Sequence, residues 1–187
     1  MLETKRKLRT LDFDIEARPL SYLGSDFTTS EVTAIASCWV GDTASMQVHL
    51  LGRHTSEEML NSFRARYDEA DVVTGHFIRN YDLPSINGAL MDFGLPTLGP
   101  KLTSCTKNDL VKRRGISASQ ENLSQMFNLP IDKHHMSQID WRLANRLTEE
   151  GISRTEKRVC TDVYQHMIMR AKLIDLGLLS APKMWKP

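Results

Sequence analysis

Hydrophobic and polar residues alternate along three stretches in the first third of the chain, and this alternation predicts β-strands. The stretches are residues 7–13, 31–40 and 46–51, with the turn-like sequence GDTAS between the last two. A period of two places successive side chains on opposite faces of a sheet. Because the connections are short, we expect these strands to pair antiparallel.

Beyond residue 55 the apolar spacing changes to that of helices separated by short strands. In residues 56–67 the apolar Met59, Leu60 and Phe63 share one helix face, and Ser56 is the expected N-cap. Short strands are predicted at 71–74 and 101–105, and further helices at 83–93, 107–113, 119–127, 137–147 and 154–176. Strands separated by helices favour parallel crossovers. The pattern predicts a mixed α/β fold, in one domain over residues 1–176 with a loose tail at 177–187.

Composition narrows the class of protein. The 187 residues are 41% hydrophobic and 25% charged, which is typical of a globular domain rather than a disordered chain. The apolar run at 32–40 is too short to span a bilayer, and the charged N-terminus is unlike a signal peptide. Three cysteines without metal-ligand spacing predict reduced thiols. We therefore expect a cytoplasmic protein without a membrane partner.

The charge of the chain gives little direct indication of nucleic acid. The net charge is +1, so no global basic field is present. Basic residues cluster in KRKLR at 5–9, VKRRG at 111–115 and RTEKR at 154–158. Each cluster alone is typical of a solvated face, so an argument for nucleic acid must come from other residues.

Two carboxylates follow the first predicted strand in the sequence LDFDIEA. Asp14 and Glu16 are two residues apart and therefore point to one face, while Phe13 and Ile15 point to the other. Like charges held this close raise each other's pKa, and a divalent cation removes that cost. Mg²⁺ and Mn²⁺ prefer such oxygen ligands. The pair is a candidate metal site, although D-x-E also occurs by chance.

Two further acids are candidates for the same site. Asp82 follows the strand of VVTGHFIRNYDLP and begins a helix, where an aspartate is also a common cap. Asp162 borders the apolar stripe formed by Val159, Val163 and Met167, where an unpaired acid would be partly desolvated. Each position has an ordinary structural explanation, but their joint occurrence favours a shared site.

The order of these motifs resembles a known superfamily. D-x-E, then G-H-x(5)-D-x-P, then a late helix with C-x-D-V is similar to the DEDD superfamily of 3′–5′ exonucleases, which have a ribonuclease H-like fold. The nearest resemblance is to small stand-alone exonucleases of phages and bacteria, akin to the proofreading domain of family B polymerases. It extends from LDFDIEARPL through LTSCTKNDLVKR and SQENLSQMFNLPIDKHHM to RVCTDV.

This resemblance implies a catalytic centre with two Mg²⁺ or Mn²⁺ ions. Asp14, Glu16, Asp82 and Asp162 would be the ligands, with Asp14 bridging the ions and Asp82 acting through water. The implied reaction releases nucleoside monophosphates from the 3′ end of single-stranded DNA or RNA. Replication proteins are the implied partners, in a host cytoplasm if the chain is encoded by a phage.

The chain departs from the superfamily pattern before its last aspartate. A Tyr four residues or a His five residues earlier usually orients the attacking water, but Arg158 and Lys157 stand there. Neither cation is a good general base. Three alternatives follow: the metals suffice and Arg158 contacts the phosphate, another residue such as His166 or Tyr164 substitutes, or activity is weakened or lost. In the last case the chain is a module that binds nucleic-acid 3′ ends.

Three more residues are candidate substrate contacts. Phe77 replaces an Asn that relatives often have after Gly-His, and it would either stack on a terminal base or belong to the core. Asn80 is retained in the same turn, and Lys133 is expected near the substrate phosphates. His76 is expected to be a hydrogen-bonded turn residue. His134 and His135 lack the partners of a zinc site.

Overall fold

A six-stranded sheet with helices on both faces is the centre of the structure, a computed structural model that describes residues 8–20, 30–111 and 115–187. The strands are β1 Thr10–Pro19, β2 Ser30–Trp39, β3 Asp42–Leu50, β4 Val72–Gly75, β5 Lys101–Cys105 and β6 Lys183–Trp185. The helices are α1 Ser56–Glu69, α2 Asp82–Asp92, α3 Thr106–Leu110, α4 Gln120–Met126, α5 Gln138–Asn145 and α6 Glu149–Asp175.

The strand order is β3-β2-β1-β4-β5-β6. The first three strands pair antiparallel, whereas β4 pairs parallel with both β1 and β5. Each parallel connection contains a helix, α1 before β4 and α2 before β5, as crossovers require. The predicted mixed α/β sheet, with antiparallel strands first and parallel strands later, is confirmed.

The two faces of β1 have different environments. Phe13 and Ile15 belong to the apolar core beneath α1 and α2, where the Phe13 and Phe63 ring centroids are 4.8 Å apart. On the other face, small residues of β2 such as Ala34 and Ala36 contact Val159 and Val163 of α6. The predicted division around β1 and the predicted buried stripe of α6 are confirmed. The acids of β1 therefore face α6.

Several element boundaries differ from the predictions because capping residues determine where helices begin. Thr55, rather than Ser56, caps α1 in a capping box with Glu58. Helix α6 begins at Glu149, five residues before the predicted start, because Thr148 caps it through the Gly151 amide. A Cβ at Gly151 would collide with the backbone of Leu143 and Ala144, so this glycine permits the close α5–α6 packing.

The C-terminal segment corrects the prediction of a loose tail at 177–187. Residues Lys183–Trp185 form β6, which pairs antiparallel with β5, and Trp185 is buried in the core beneath α1 and α2. The exposed edge of β5 has unpaired backbone groups that an additional strand satisfies. This pairing is long-range, so local periodicity does not predict it.

The basic clusters divide between described and undescribed residues. Residues 5–7 and 112–114, the larger parts of two clusters, lie outside the described ranges. Arg9 pairs with Glu69 and lies 3.8 Å from the Trp39 ring centroid, which is a structural role. In the third cluster Arg154 pairs with Asp140 and Glu150 on the outside of α6.

Two further sequence-based expectations bear on the class of protein. All three cysteines are free, with Cys38 and Cys105 buried and Cys160 partly buried. Among the described residues, no helix combines the length and the apolar character needed to cross a bilayer.

Candidate metal centre

A row of acids on β1 faces a row of polar side chains on α6. Asp12, Asp14 and Glu16 project from one face of the strand. On α6 the facing side chains are four residues apart: Arg158, Asp162 and His166. Two strand residues advance about 6.6 Å, and four helix residues advance about 6 Å. The side chains of the two rows therefore have nearly the same spacing, so that each strand acid lies opposite one residue of α6.

The outer contacts of these rows join opposite charges or hydrogen-bonding partners. Glu16 Oε1 lies 3.2 Å from Arg158 Nε, and the Asp12 carboxylate lies 2.8 Å from His166 Nδ1. Arg158 and His166 are each four residues from Asp162 on α6. In the middle of the two rows Asp14 consequently faces Asp162, so that two acids oppose each other.

Asp14, Glu16 and Asp162 form a compact set of oxygen ligands. One carboxylate oxygen of each lies within 4.8 Å of the others. Burial raises the pKa of Asp14 well above its usual value, and the charges of Asp82, Asp162 and Glu16 raise it further. Burial also raises the pKa of Glu16 to about 7, although Arg158 opposes the rise. The neighbouring cations therefore do not fully compensate the negative charge of the three carboxylates.

Asp82 reaches the same cleft from the turn before α2. It is the first residue of that helix and is buried, the N-cap position belongs to Tyr81, and no side-chain hydrogen bond caps the helix. Burial raises its pKa to about 7, against backbone hydrogen bonds from Asp82 and Ile15. Asp82 lies outside the three-residue ligand set but contributes to the raised pKa of Asp14.

Gly75 allows β4 to approach β1 directly before this turn. A Cβ on Gly75 would lie 2.6 Å from the Phe13 carbonyl oxygen and would also collide with Ile78. The positive φ of the segment belongs to Phe77, at 75°. The glycine therefore acts through close approach of the two strands, and the positive-φ residue of the turn is Phe77.

The two carboxylate oxygens of Asp162 indicate that these residues fit a metal ion. Its Oδ2 atom lies 3.0 Å from Arg158 Nε and 3.1 Å from Lys133 Nζ. Its Oδ1 atom is buried and has no hydrogen-bond partner among the described residues. A buried carboxylate oxygen without a partner is costly unless it binds a cation. Together with the adjacent Asp14 and Glu16 oxygens, this donor set fits Mg²⁺ or Mn²⁺.

Arg158 is held in place by more than the carboxylates. Its NH1 group donates a hydrogen bond of 2.7 Å to the His134 carbonyl, and its guanidinium lies 5.8 Å from the Trp141 ring centroid. The Nε atom pairs with two carboxylates but lacks hydrogen-bond geometry to either one. The guanidinium is thus a fixed positive charge at the edge of the acidic cluster.

The four acids line an open cleft of about 590 Å³, solvent at its mouth included. Three predicted phosphate or substrate contacts, Arg158, Lys133 and Phe77, also line it. Asn80 does not: its Oδ1 accepts a hydrogen bond of 2.7 Å from Asn108 Nδ2. His76, Tyr81 and Lys107 also line the cleft, although none of them was predicted as a site residue. Tyr81 is adjacent to Asp82 in the sequence, which could have indicated its place in the cleft. No local sequence feature indicates that of Lys107.

A buried polar network lies behind the cluster. His166 Nε2 is 3.1 Å from Thr106 Oγ1, which is 2.9 Å from His76 Nδ1. Burial lowers the pKa of His76 to about 3, so its ring is neutral. Of the two suggested substitutes for the missing water-orienting group, His166 is paired with Asp12, and the Tyr164 hydroxyl donates to the Thr43 carbonyl. Neither of them lines the cleft.

The raised pKa values of Glu16 and Asp82 predict how stability depends on pH without metal. Their folded values of about 7 exceed the unfolded values, near 4, so the folded state binds more protons between these limits. The free energy of unfolding should therefore decrease as pH rises from about 5 to about 8. Melting temperatures in EDTA measure this slope.

Two controls accompany that measurement. Saturating Mn²⁺ should flatten the slope, because the ion replaces protons as the compensating charge. The double variant Glu16→Gln, Asp82→Asn should flatten it in EDTA as well. A melting temperature that rises with pH in EDTA would contradict the pKa directions.

No protein-family model matches the chain, and no curated protein matches it either. Among solved structures, a family B DNA polymerase from the hyperthermophilic archaeon Pyrobaculum calidifontis is similar, with a TM-score of 0.70 and 15% sequence identity. The alignment covers 92% of this chain and 25% of the polymerase, so the chain spans about a quarter of that protein's length. The α/β arrangement is consistent with a ribonuclease H-like fold and is shared with part of a DNA polymerase.

Proposed function

We propose that this chain is a metal-dependent 3′–5′ exonuclease that releases nucleoside monophosphates from single-stranded DNA or RNA. The observation that carries the proposal is the approach of Asp14 and Asp162 carboxylate oxygens to within 4.8 Å, in a cleft that two further acids line. The buried Oδ1 of Asp162 has no hydrogen-bond partner among the described residues. The fold shared with part of a DNA polymerase supports a nucleic-acid substrate. The ligands would be Asp14, Glu16, Asp82 and Asp162.

The metal ions, the carboxylates and two cationic residues would have separate roles in this reaction. Two Mg²⁺ or Mn²⁺ ions, when bound, supply Lewis-acid activation of water and charge neutralisation at the phosphodiester. The four carboxylates, Asp14, Glu16, Asp82 and Asp162, would hold these ions. Arg158 and Lys133 contact the phosphate, because both cations already lie against Asp162 at the wall of the cleft.

A second candidate function is a module that binds 3′ ends without cleaving them. The observation that favours it is the presence of Arg158 and Lys133 against the metal-binding carboxylates. These two internal cations partly neutralise the cluster and so reduce its electrostatic need for metal. Arg158 also stands where relatives carry a water-orienting Tyr.

One experiment separates the two functions. A 3′-labelled single strand is incubated with the protein in Mg²⁺, in Mn²⁺ and in EDTA, as DNA and as RNA of the same sequence. Release of labelled mononucleotide only with metal supports the exonuclease. Tight binding without release supports the module, and neither release nor binding contradicts both. A strand with a phosphorothioate at its last linkage is the control for cleavage from the 3′ end.

A further inference from the structure

Phe77 has a backbone conformation that bulky residues rarely adopt. Its φ is 75°, in the left-handed region, where a Cβ is disfavoured and Asn is better tolerated. The turn holds this conformation, because the Phe77 carbonyl accepts hydrogen bonds from the Asn80 and Tyr81 amides. A strained residue next to a candidate site suggests a functional reason for the side chain.

Core packing does not explain the Phe77 ring. The side chain is partly exposed and lies outside the buried apolar clusters of the described residues. Instead it lines the acidic cleft, next to the turn that delivers Asp82. The sequence-based alternative of a core residue is therefore not supported, and the ring is available to a ligand in the cleft.

Lys107 lies against this ring. Its Nζ is 4.2 Å from the Phe77 ring centroid, a cation–π distance, and the residue also lines the cleft. Lys133 and Arg158 each pair with Asp162, whereas Lys107 forms no ion pair with any residue in the described ranges. Its ammonium group remains available to a phosphate.

We propose that Phe77 and Lys107 together bind the terminal unpaired nucleotide of a single strand. The ring stacks on the base and Lys107 contacts the neighbouring phosphodiester. Stacking requires an unpaired base but tolerates any base, because every base has a π-face. This inference rests on the cleft of the proposed exonuclease, and it specifies that a frayed or single-stranded end enters the cleft regardless of its sequence.

The test uses binding and stability together. Phe77→Asn should weaken the binding of a fluorescent single strand roughly tenfold, since stacking of one base contributes that much. The same change should raise the melting temperature by roughly 2–4 °C, because Asn relieves the backbone strain. Opposite effects on binding and stability distinguish a ligand contact from a structural ring. Binding is measured by anisotropy in Ca²⁺ and in EDTA on a phosphorothioate strand.

A ligand variant makes the test specific to the base. Removing the terminal base from the strand should weaken binding to the wild type but not to Phe77→Asn. Lys107→Gln should weaken binding several-fold and lower the slope of log affinity against log salt by about 0.7. Phe77→Tyr should bind like the wild type, and Lys186→Gln, an exposed lysine near the C-terminus, is the matched control.

The outcomes separate this inference from the proposed function. Unchanged binding by both Phe77→Asn and Lys107→Gln overturns the inference, even if metal-dependent release is observed. Weakened binding together with no release leaves the inference standing and contradicts the exonuclease. If Phe77→Asn fails to fold, Lys107→Gln and the strand without its terminal base decide the result.

Discussion

Asp14→Asn is expected to reduce metal-dependent release of mononucleotides on the order of 10³-fold, because loss of a proposed metal ligand removes several kcal/mol of charge stabilisation. The same substitution should raise the melting temperature in EDTA, since it removes one of the like charges that face each other between β1 and α6. Loss of activity combined with a gain in stability is expected for a site whose carboxylates repel one another until a cation binds.

Calorimetric titration with Mn²⁺ provides a readout that does not depend on activity. The wild type should bind Mn²⁺ and gain thermal stability from it, and the variant should lose most of both effects. Asp42→Asn is the matched control, because Asp42 is an exposed acid at the start of β3 and does not line the cleft. Equal Mn²⁺ binding by Asp14→Asn and the wild type would contradict a metal centre at this position.

Arg158→Tyr is expected to lower turnover about tenfold, because the change removes a positive charge that would otherwise contact the phosphate. It should also destabilise the metal-free protein by about 2–3 kcal/mol, since Glu16 and Asp162 lose their shared cationic partner in a largely buried place. Metal affinity should rise, as the ions no longer compete with the guanidinium.

This substitution also distinguishes the roles considered for Arg158. If Arg158 only occupies the place of a lost water-orienting group, restoring Tyr should raise turnover, and such a rise would contradict a phosphate contact. A fall in turnover removes the explanation of an enzyme impaired by the loss of Tyr. Arg154→Tyr is the control, one turn earlier on α6, where the side chain pairs with Asp140 and Glu150 away from the cleft.

The candidate site was only partly predictable from sequence. Asp14 and Glu16 share a face because strand side chains alternate, and Asp162 borders the buried stripe because helix positions repeat every three or four residues. The same rules contained an overlooked signal: Asp12 has the same strand parity as Asp14, and His166 has the same helix face as Asp162. Lys107 carried no such signal, because its contact with Phe77 joins separate elements.

The sequence by itself determined the order of strands and helices as far as α6, the two faces of β1 and the buried stripe of α6. These features follow from the local geometry of the backbone, with periods of two and of 3.6 residues. Only the tertiary structure decided that β6 joins β5 and that Asp14 meets Asp162 with Glu16 beside Arg158. The reason is that the axial position of α6 depends on how Val159 and Val163 pack against β2, a long-range contact that no local pattern encodes.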